Sequence, residues 1–171
     1  MMPSHQQTGL TYGISSYYRP GTAYVLLREL LGDEVFKKTL KEYMARWNGK
    51  HPTPYDFFFT FNDVTKQNLN WFWKPWFFEI GVPDLALKSA TKTGKIVVER
   101  KGALPIPINI EIVFEDGTKE YAYESAAVWK DGKTEFTLTK KVAKKIKTVR
   151  LTSNYIPDND MTNNTLEAMG N

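Results

Sequence analysis

The sequence predicts an α+β chain: an N-terminal all-helical segment of about four helices followed by a small antiparallel β-sandwich. Two observations predict it. Up to Pro83 the apolar residues recur at helical spacing, whereas from Asp84 onward they fall into short, partly alternating, β-rich runs divided by turn dipeptides. The expected organisation is therefore a helical part at 1–83, a sandwich at 84–155 and a loose polar tail at 156–171.

The first helix is expected over Thr22 to Leu31, where Ala23, Leu26, Leu27, Leu30 and Leu31 share a face. Thr8 to Ser16 is polar and turn-rich, so Tyr17 and Tyr18 are expected where a loop becomes that helix, with Pro20 suited to its first turn. Gly32 reads as the stop and Asp33 as the N-cap of a second helix, Glu34 to about Asn48, with Val35, Phe36, Leu40, Tyr43, Met44 and Trp47 on one side. Gly49 to Pro52 breaks it. Thr53-Pro54-Tyr55-Asp56 starts a third helix through an N-cap threonine, a first-position proline and an acid three residues after the cap. Phe57, Phe58, Phe61 and Val64 are its buried side. Asn68-Leu69-Asn70 opens a fourth helix with an aromatic face of Trp71, Phe72, Trp76 and Phe77, in which Pro75 marks either a kink or a division into two pieces.

Strands are expected at Leu85 to Leu87, Ile96 to Arg100, Ile108 to Phe114, Lys119 to Tyr123, Thr134 to Leu138 and Thr148 to Leu151. Glu115-Asp116-Gly117-Thr118 and Lys130-Asp131-Gly132-Lys133 read as Asp-Gly hairpin turns.

Composition narrows the function. With 42% apolar and 25% charged residues, 171 residues make an ordinary globular chain rather than a disordered one. There is no cysteine, which removes disulfides and thiolate metal sites. No apolar run reaches spanning length and no signal peptide is evident. The lysines at 140, 141, 144, 145 and 147 form a basic strip without arginine or interleaved aromatics, the pattern of a solvated face and not of a nucleic-acid site. His5 and His51 are the only histidines, and no H-E-x-x-H, G-x-S-x-G, Walker A or dinucleotide glycine pattern occurs. No complete catalytic constellation lies in the chain. What remains is Tyr17-Tyr18-Arg19-Pro20-Gly21, two phenols and a guanidinium beside a helix, a combination suited to an anion or oxyanion.

That stretch belongs to a longer series. Tyr17 to Ala23, Leu30-Leu31-Gly32, the Phe36…Leu40…Tyr43 face, Pro52-Thr53-Pro54…Asp56-Phe57 and Leu69…Trp71-Phe72-Trp73…Trp76…Gly81-Val82-Pro83 resemble, in order and spacing, the M1 family of zinc aminopeptidases over residues 12 to 83. The matching part is the portion of the thermolysin-like catalytic domain that follows the zinc motif. The resemblance implies that Tyr17, from the family's Y-x-K loop, donates its hydroxyl to the oxyanion formed when zinc-bound water attacks the peptide carbonyl, with Arg19 standing where the family has lysine. It implies substrate-lining positions for Tyr12, Tyr18 and Arg19. It further implies that zinc and the H-E-x-x-H ligands belong to a longer parent, that this chain binds no metal and is inactive alone, and that its partners are a peptide substrate and the missing N-terminal part of the same polypeptide. The β half is similar to the small sandwich that follows the catalytic domain. The competing reading is a non-catalytic protein- or glycan-binding module with an aromatic-rich surface, which solvent-exposed tryptophans would support.

Overall fold

The structure, a computed structural model, describes residues 6–153, 156 and 158–170; His5, Asn154 and Tyr155 at the end of the expected sandwich, and Pro157 in the expected tail lie outside them. The chain divides into two compact units, Met1–Glu79 and Ile80–Asn171. Among the described residues no helix is long and apolar enough to cross a membrane.

The helical unit begins earlier than its hydrophobic period suggests. Thr8 caps α1 (Gly9–Gly13) by accepting the Thr11 N–H, and the helical backbone then continues through a five-residue π turn, Ile14–Tyr18, into α2 (Arg19–Leu31). Tyr17 and Tyr18 thus sit inside one helical run, not at the mouth of a helix. Pro20 accounts for the wide turn. A proline within a helix lacks an N–H and crowds the carbonyl four residues back, and widening the preceding turn relieves both problems. Here the last amide before the proline, Arg19 N–H, bonds the Ile14 carbonyl five residues earlier.

Gly32, at φ 77°, ends α2 and starts α3 (Asp33–Trp47). Asp33 is consequently the first residue of α3 rather than its cap, and it pairs with Arg28 and Lys37. The capping box that starts α4 (Pro54–Thr65) is present, with Thr53 N–H donating to Asp56 Oδ2 at 2.7 Å. The fourth expected helix comes in two pieces, α5 (Asn70–Trp73) and a second π turn, Lys74–Phe78, which again contains a proline, Pro75.

Aromatic packing joins these pieces. Phe58 lies 4.8 Å from Trp73 and Phe57 4.5 Å from Phe61, centroid to centroid. Asn62 Oδ1 accepts from both Leu69 N–H and Trp73 Nε1, which fixes the start of α5 against α4. Phe58, Phe61, Leu69, Phe72, Trp73 and Trp76 are buried, together with Ala23, Leu26 and Leu27 of α2. The expected face of α3 is only partly covered: Val35, Leu40 and Met44 are exposed while Thr39 is fully buried.

Among the described residues the second unit holds seven strands in two antiparallel sheets. β1 (Leu85–Ala90), β2 (Lys95–Arg100) and β5 (Glu135–Thr139) form one in that order; β4 (Lys119–Glu124), β3 (Ile108–Phe114), β6 (Ile146–Leu151) and β7 (Thr165–Glu167) form the other. Alternating residues of β2 and β3, namely Ile96, Val98, Ile108, Ile110 and Ile112, are essentially inaccessible, as are Ile146 and Val149 of β6. Glu111, also buried, is matched by Lys119, Arg150 and the Tyr121 hydroxyl, so its charge is compensated.

One expected turn is present and two details differ from the sequence reading. The turn at Asp116-Gly117 does close a hairpin, but as a three-residue loop in which Gly117 N–H bonds the Phe114 carbonyl and Gly117 takes φ 82°. Asp131-Gly132 does not close one: β4 and β5 lie in different sheets, and between them runs a 3₁₀ segment, Ala126–Gly132, anchored by Trp129, whose Nε1 donates to the Ile106 carbonyl at 2.7 Å. The segment read as a loose tail contains β7, which pairs with β6 from Thr148 to Arg150. Three residues of edge strand carry too little periodicity to be seen in the sequence.

Two glycines at positive φ separate conformational cost from steric cost. Gly94 sits at φ 102° where an added Cβ would lie 2.0 Å from the Lys140 carbonyl oxygen; Gly117 faces open space. In urea unfolding, Gly117→Ala is expected to lose about 1 kcal/mol and Gly94→Ala about 3 kcal/mol or more. Equal losses would contradict the tight β2–β5 approach.

Candidate active-site helix

The residues singled out from the sequence lie on the first helical run. Tyr12 is in α1, Tyr17 and Tyr18 close the π turn, and Arg19 opens α2. In an uninterrupted α-helix a five-residue separation places two side chains about 140° apart around the axis. A π turn advances less per residue, so residues five apart approach one another. Tyr12 and Tyr17 accordingly meet edge to face, with ring centroids 5.7 Å apart and planes at 73°. Their hydroxyls interact: the hydrogen bond with Tyr17 raises the Tyr12 phenol above the ordinary tyrosine value, with the Tyr17 charge adding to the effect at high pH.

All three tyrosines face outward. Tyr12, Tyr17 and Tyr18 are 39%, 64% and 75% exposed, which removes them from the core and leaves the phenols available to a ligand. Tyr18 contributes its backbone as well, since its carbonyl accepts the Thr22 hydroxyl at 2.8 Å.

Arg19 behaves differently from its neighbours. It is half-buried, and its guanidinium turns toward the end of the second π turn, where Nε donates to the Trp76 carbonyl at 2.9 Å and Nη2 to the Pro75 and Glu79 carbonyls at 2.7 Å each. Loss of solvent lowers its pKa from the ordinary arginine value, yet arginine stays charged at any physiological pH. The sequence could not have shown this arrangement, because the acceptors are backbone carbonyls 56 to 60 residues away and carry no side-chain signature.

Tryptophan exposure bears on the binding-module reading. Trp73, Trp76 and Trp129 are buried, and Trp47 and Trp71 are partly so. No tryptophan is presented as a docking ring. Among the described residues no group of three or more His, Cys, Asp or Glu side chains is placed to hold a metal ion.

Comparison with known proteins meets this geometry at the same residues. Residues 2–76 match the profile described as the Peptidase family M1 domain. The likeness to peptidase family M1 lies within the helical unit. Aminopeptidase N of Haemophilus influenzae is 25% identical over 134 residues, spanning 70% of this chain and 15% of that protein. The crystal structure of Legionella pneumophila aminopeptidase A in complex with aspartic acid superposes with a TM-score of 0.59 at 17% identity, over 82% of this chain and 17% of that one, which is a likeness of fold. The chain thus spans less than a fifth of each of these relatives. The M1 match ends at Trp76, inside the second π turn that Arg19 grips. Both π turns and the tyrosine pair therefore fall within or against the matched segment.

The tyrosine contact makes a titration prediction. With tyrosine rings labelled at the hydroxyl-bearing carbon, Tyr12 is expected to titrate above the ordinary value of about 10, and Tyr17→Phe is expected to bring it back toward that value. Because the folded-state pKa is the raised one, the stability contributed by this contact is complete below the ordinary phenol pKa and lost as pH climbs through the raised value. A Tyr12 titration indifferent to Tyr17→Phe would contradict the hydrogen bond.

Proposed function

We propose that this chain supplies the oxyanion-stabilising tyrosine of a zinc-dependent aminopeptidase that removes N-terminal residues from peptides, and that Tyr17 is that residue. The observation that carries the proposal is the Tyr17 phenol: exposed, held in orientation by Tyr12, and placed on a wide helical turn within the segment that matches peptidase family M1. π turns recur at functional sites because they move a side chain off the regular helical stripe, which is the service this one performs for Tyr17.

In the proposed reaction, water adds to the scissile carbonyl carbon and negative charge collects on the carbonyl oxygen. The Tyr17 hydroxyl donates a hydrogen bond to that oxygen. A neutral phenol gains most from this bond when the charge has formed, so it stabilises the transition state more than the bound substrate. Tyr12 limits the rotation of the Tyr17 ring, and Tyr18, on the neighbouring side of the turn, offers a second exposed phenol to line the substrate path. Zinc, where the enzyme holds it, polarises a carbonyl or activates water. Its ligands are proposed to lie in polypeptide preceding this chain, and the chain alone is proposed to be inactive.

The test compares the full-length product containing this chain, with zinc supplied, to its Tyr17→Phe variant on aminoacyl substrates. The expected result is a fall in kcat of roughly a hundredfold or more with KM within about twofold, and no turnover by the chain alone. Unchanged kcat in Tyr17→Phe, or an inert full-length product, would overturn the proposal.

A further inference from the structure

We infer that Arg19 is a positioning residue for Tyr17 and not a substrate ligand. The inference rests on the reading of Tyr17 given above. It follows from what the two ends of this one residue do. The Arg19 backbone N–H closes the π turn by bonding the Ile14 carbonyl, and the Arg19 side chain bonds three consecutive-turn carbonyls, those of Pro75, Trp76 and Glu79. The residue that completes the turn carrying Tyr17 is therefore fastened, through its guanidinium, to a second helical segment.

The acceptors explain why a guanidinium stands here. The last carbonyls of a helical segment have no intrahelical donors, and at the end of Lys74–Phe78 the chain leaves the helix at Glu79 with extended backbone, φ −111° and ψ 152°. A planar fork with donors on several nitrogens can serve acceptors spread over residues 75 to 79 at once. Lysine, with its donors on one nitrogen at the end of a flexible stem, can serve part of the set. With these contacts made, the Arg19 guanidinium is solvated by carbonyl dipoles and turned toward its own unit instead of toward a substrate carboxylate.

The consequence for Tyr17 is geometric. The π turn is an irregular element with a close competitor, the ordinary α-helix, and what keeps it wide is Pro20 on one side and the anchored Arg19 on the other. If the anchor is cut, the turn can relax toward α geometry, in which residues 12 and 17 point about 140° apart. Tyr17 then loses its contact with Tyr12 and its aim at the oxyanion. Displacements of about 1 Å at a reacting centre reduce rates by as much as a hundredfold.

The test is a double-mutant cycle on kcat in the full-length product with zinc supplied: wild type, Arg19→Ala, Tyr17→Phe and both together. Expected are a loss of roughly tenfold to a hundredfold in kcat for Arg19→Ala with KM within about twofold, a smaller loss for Arg19→Lys, and less than about a twofold further loss when Arg19→Ala is added to Tyr17→Phe. A rise in KM with kcat kept would make Arg19 a substrate ligand and overturn the inference. Multiplicative losses in the double variant would overturn it too, leaving the role of Tyr17 standing; unchanged kcat in Tyr17→Phe alone would instead remove the reading of Tyr17 and this inference with it. A second readout needs no activity. In the isolated chain, Arg19→Ala is expected to bring the Tyr12 phenol down toward its ordinary pKa, as Tyr17→Phe does, and Arg19→Lys is expected to fall between; a Tyr12 titration unaffected by either change would show that Arg19 does not hold the tyrosine pair and would overturn the inference. If Arg19→Ala does not fold, the cycle and the titration are read with Arg19→Lys.

Discussion

A proline inside a helical run is the constraint from which the helical unit takes its particular form. Pro20 and Pro75 each remove an amide donor and crowd a carbonyl one turn back, and each is accompanied by a five-residue turn in place of a four-residue one. The first wide turn brings Tyr17 round to Tyr12. The second ends in terminal carbonyls, and Arg19 donates to those of Pro75, Trp76 and Glu79. The same irregularity thus creates an outward-facing tyrosine pair at one place and the acceptors that tie it down at another.

Around these turns the unit is held by aromatic burial. Phe57, Phe58 and Phe61 of α4 interleave with Trp73 and Phe77, and Asn62 accepts from the Trp73 indole N–H and from the amide of Leu69, the residue before α5, at once. A buried phenylalanine or tryptophan of this kind contributes several kcal/mol, on the order of 3–5 kcal/mol on truncation to alanine. Such a core gives the π turns a rigid base. It leaves other apolar groups uncovered, including Leu10, Ile14, Val25 and Met44, which suits a segment covering 15% to 17% of the lengths of its relatives.

What the sequence made legible follows from how local each signal is. The capping box at Thr53 and Asp56 requires residues three apart, the β3 run from Ile108 to Phe114 alternates over seven, and the change of period near Pro83 is visible over tens of residues; all three have counterparts in the structure, and the α+β class with them. The helix over Gly9–Gly13 was hidden because all five of its residues stay out of the core and so show no hydrophobic period. β7 was hidden by its length, and the crossing from β4 to β5 because an Asp-Gly turn announces a reversal of the chain but not which strand comes next. At the candidate site, the family resemblance pointed to Tyr12, Tyr17, Tyr18 and Arg19, and the rings of Tyr12 and Tyr17 meet. That Arg19 turns inward could not be read, since its partners are carbonyl oxygens of distant residues.

The central claim is that this helical turn aims Tyr17 at the oxygen on which charge develops. A structure of the full-length product with a phosphinic peptide bound, a stable tetrahedral mimic of the hydrated scissile bond, tests it directly. The account predicts the Tyr17 hydroxyl within about 3 Å of a phosphinyl oxygen, with Arg19 still on the carbonyls of Pro75, Trp76 and Glu79. A phosphinyl group bound with the Tyr17 hydroxyl more than about 4 Å away, beyond hydrogen-bond reach, would contradict it.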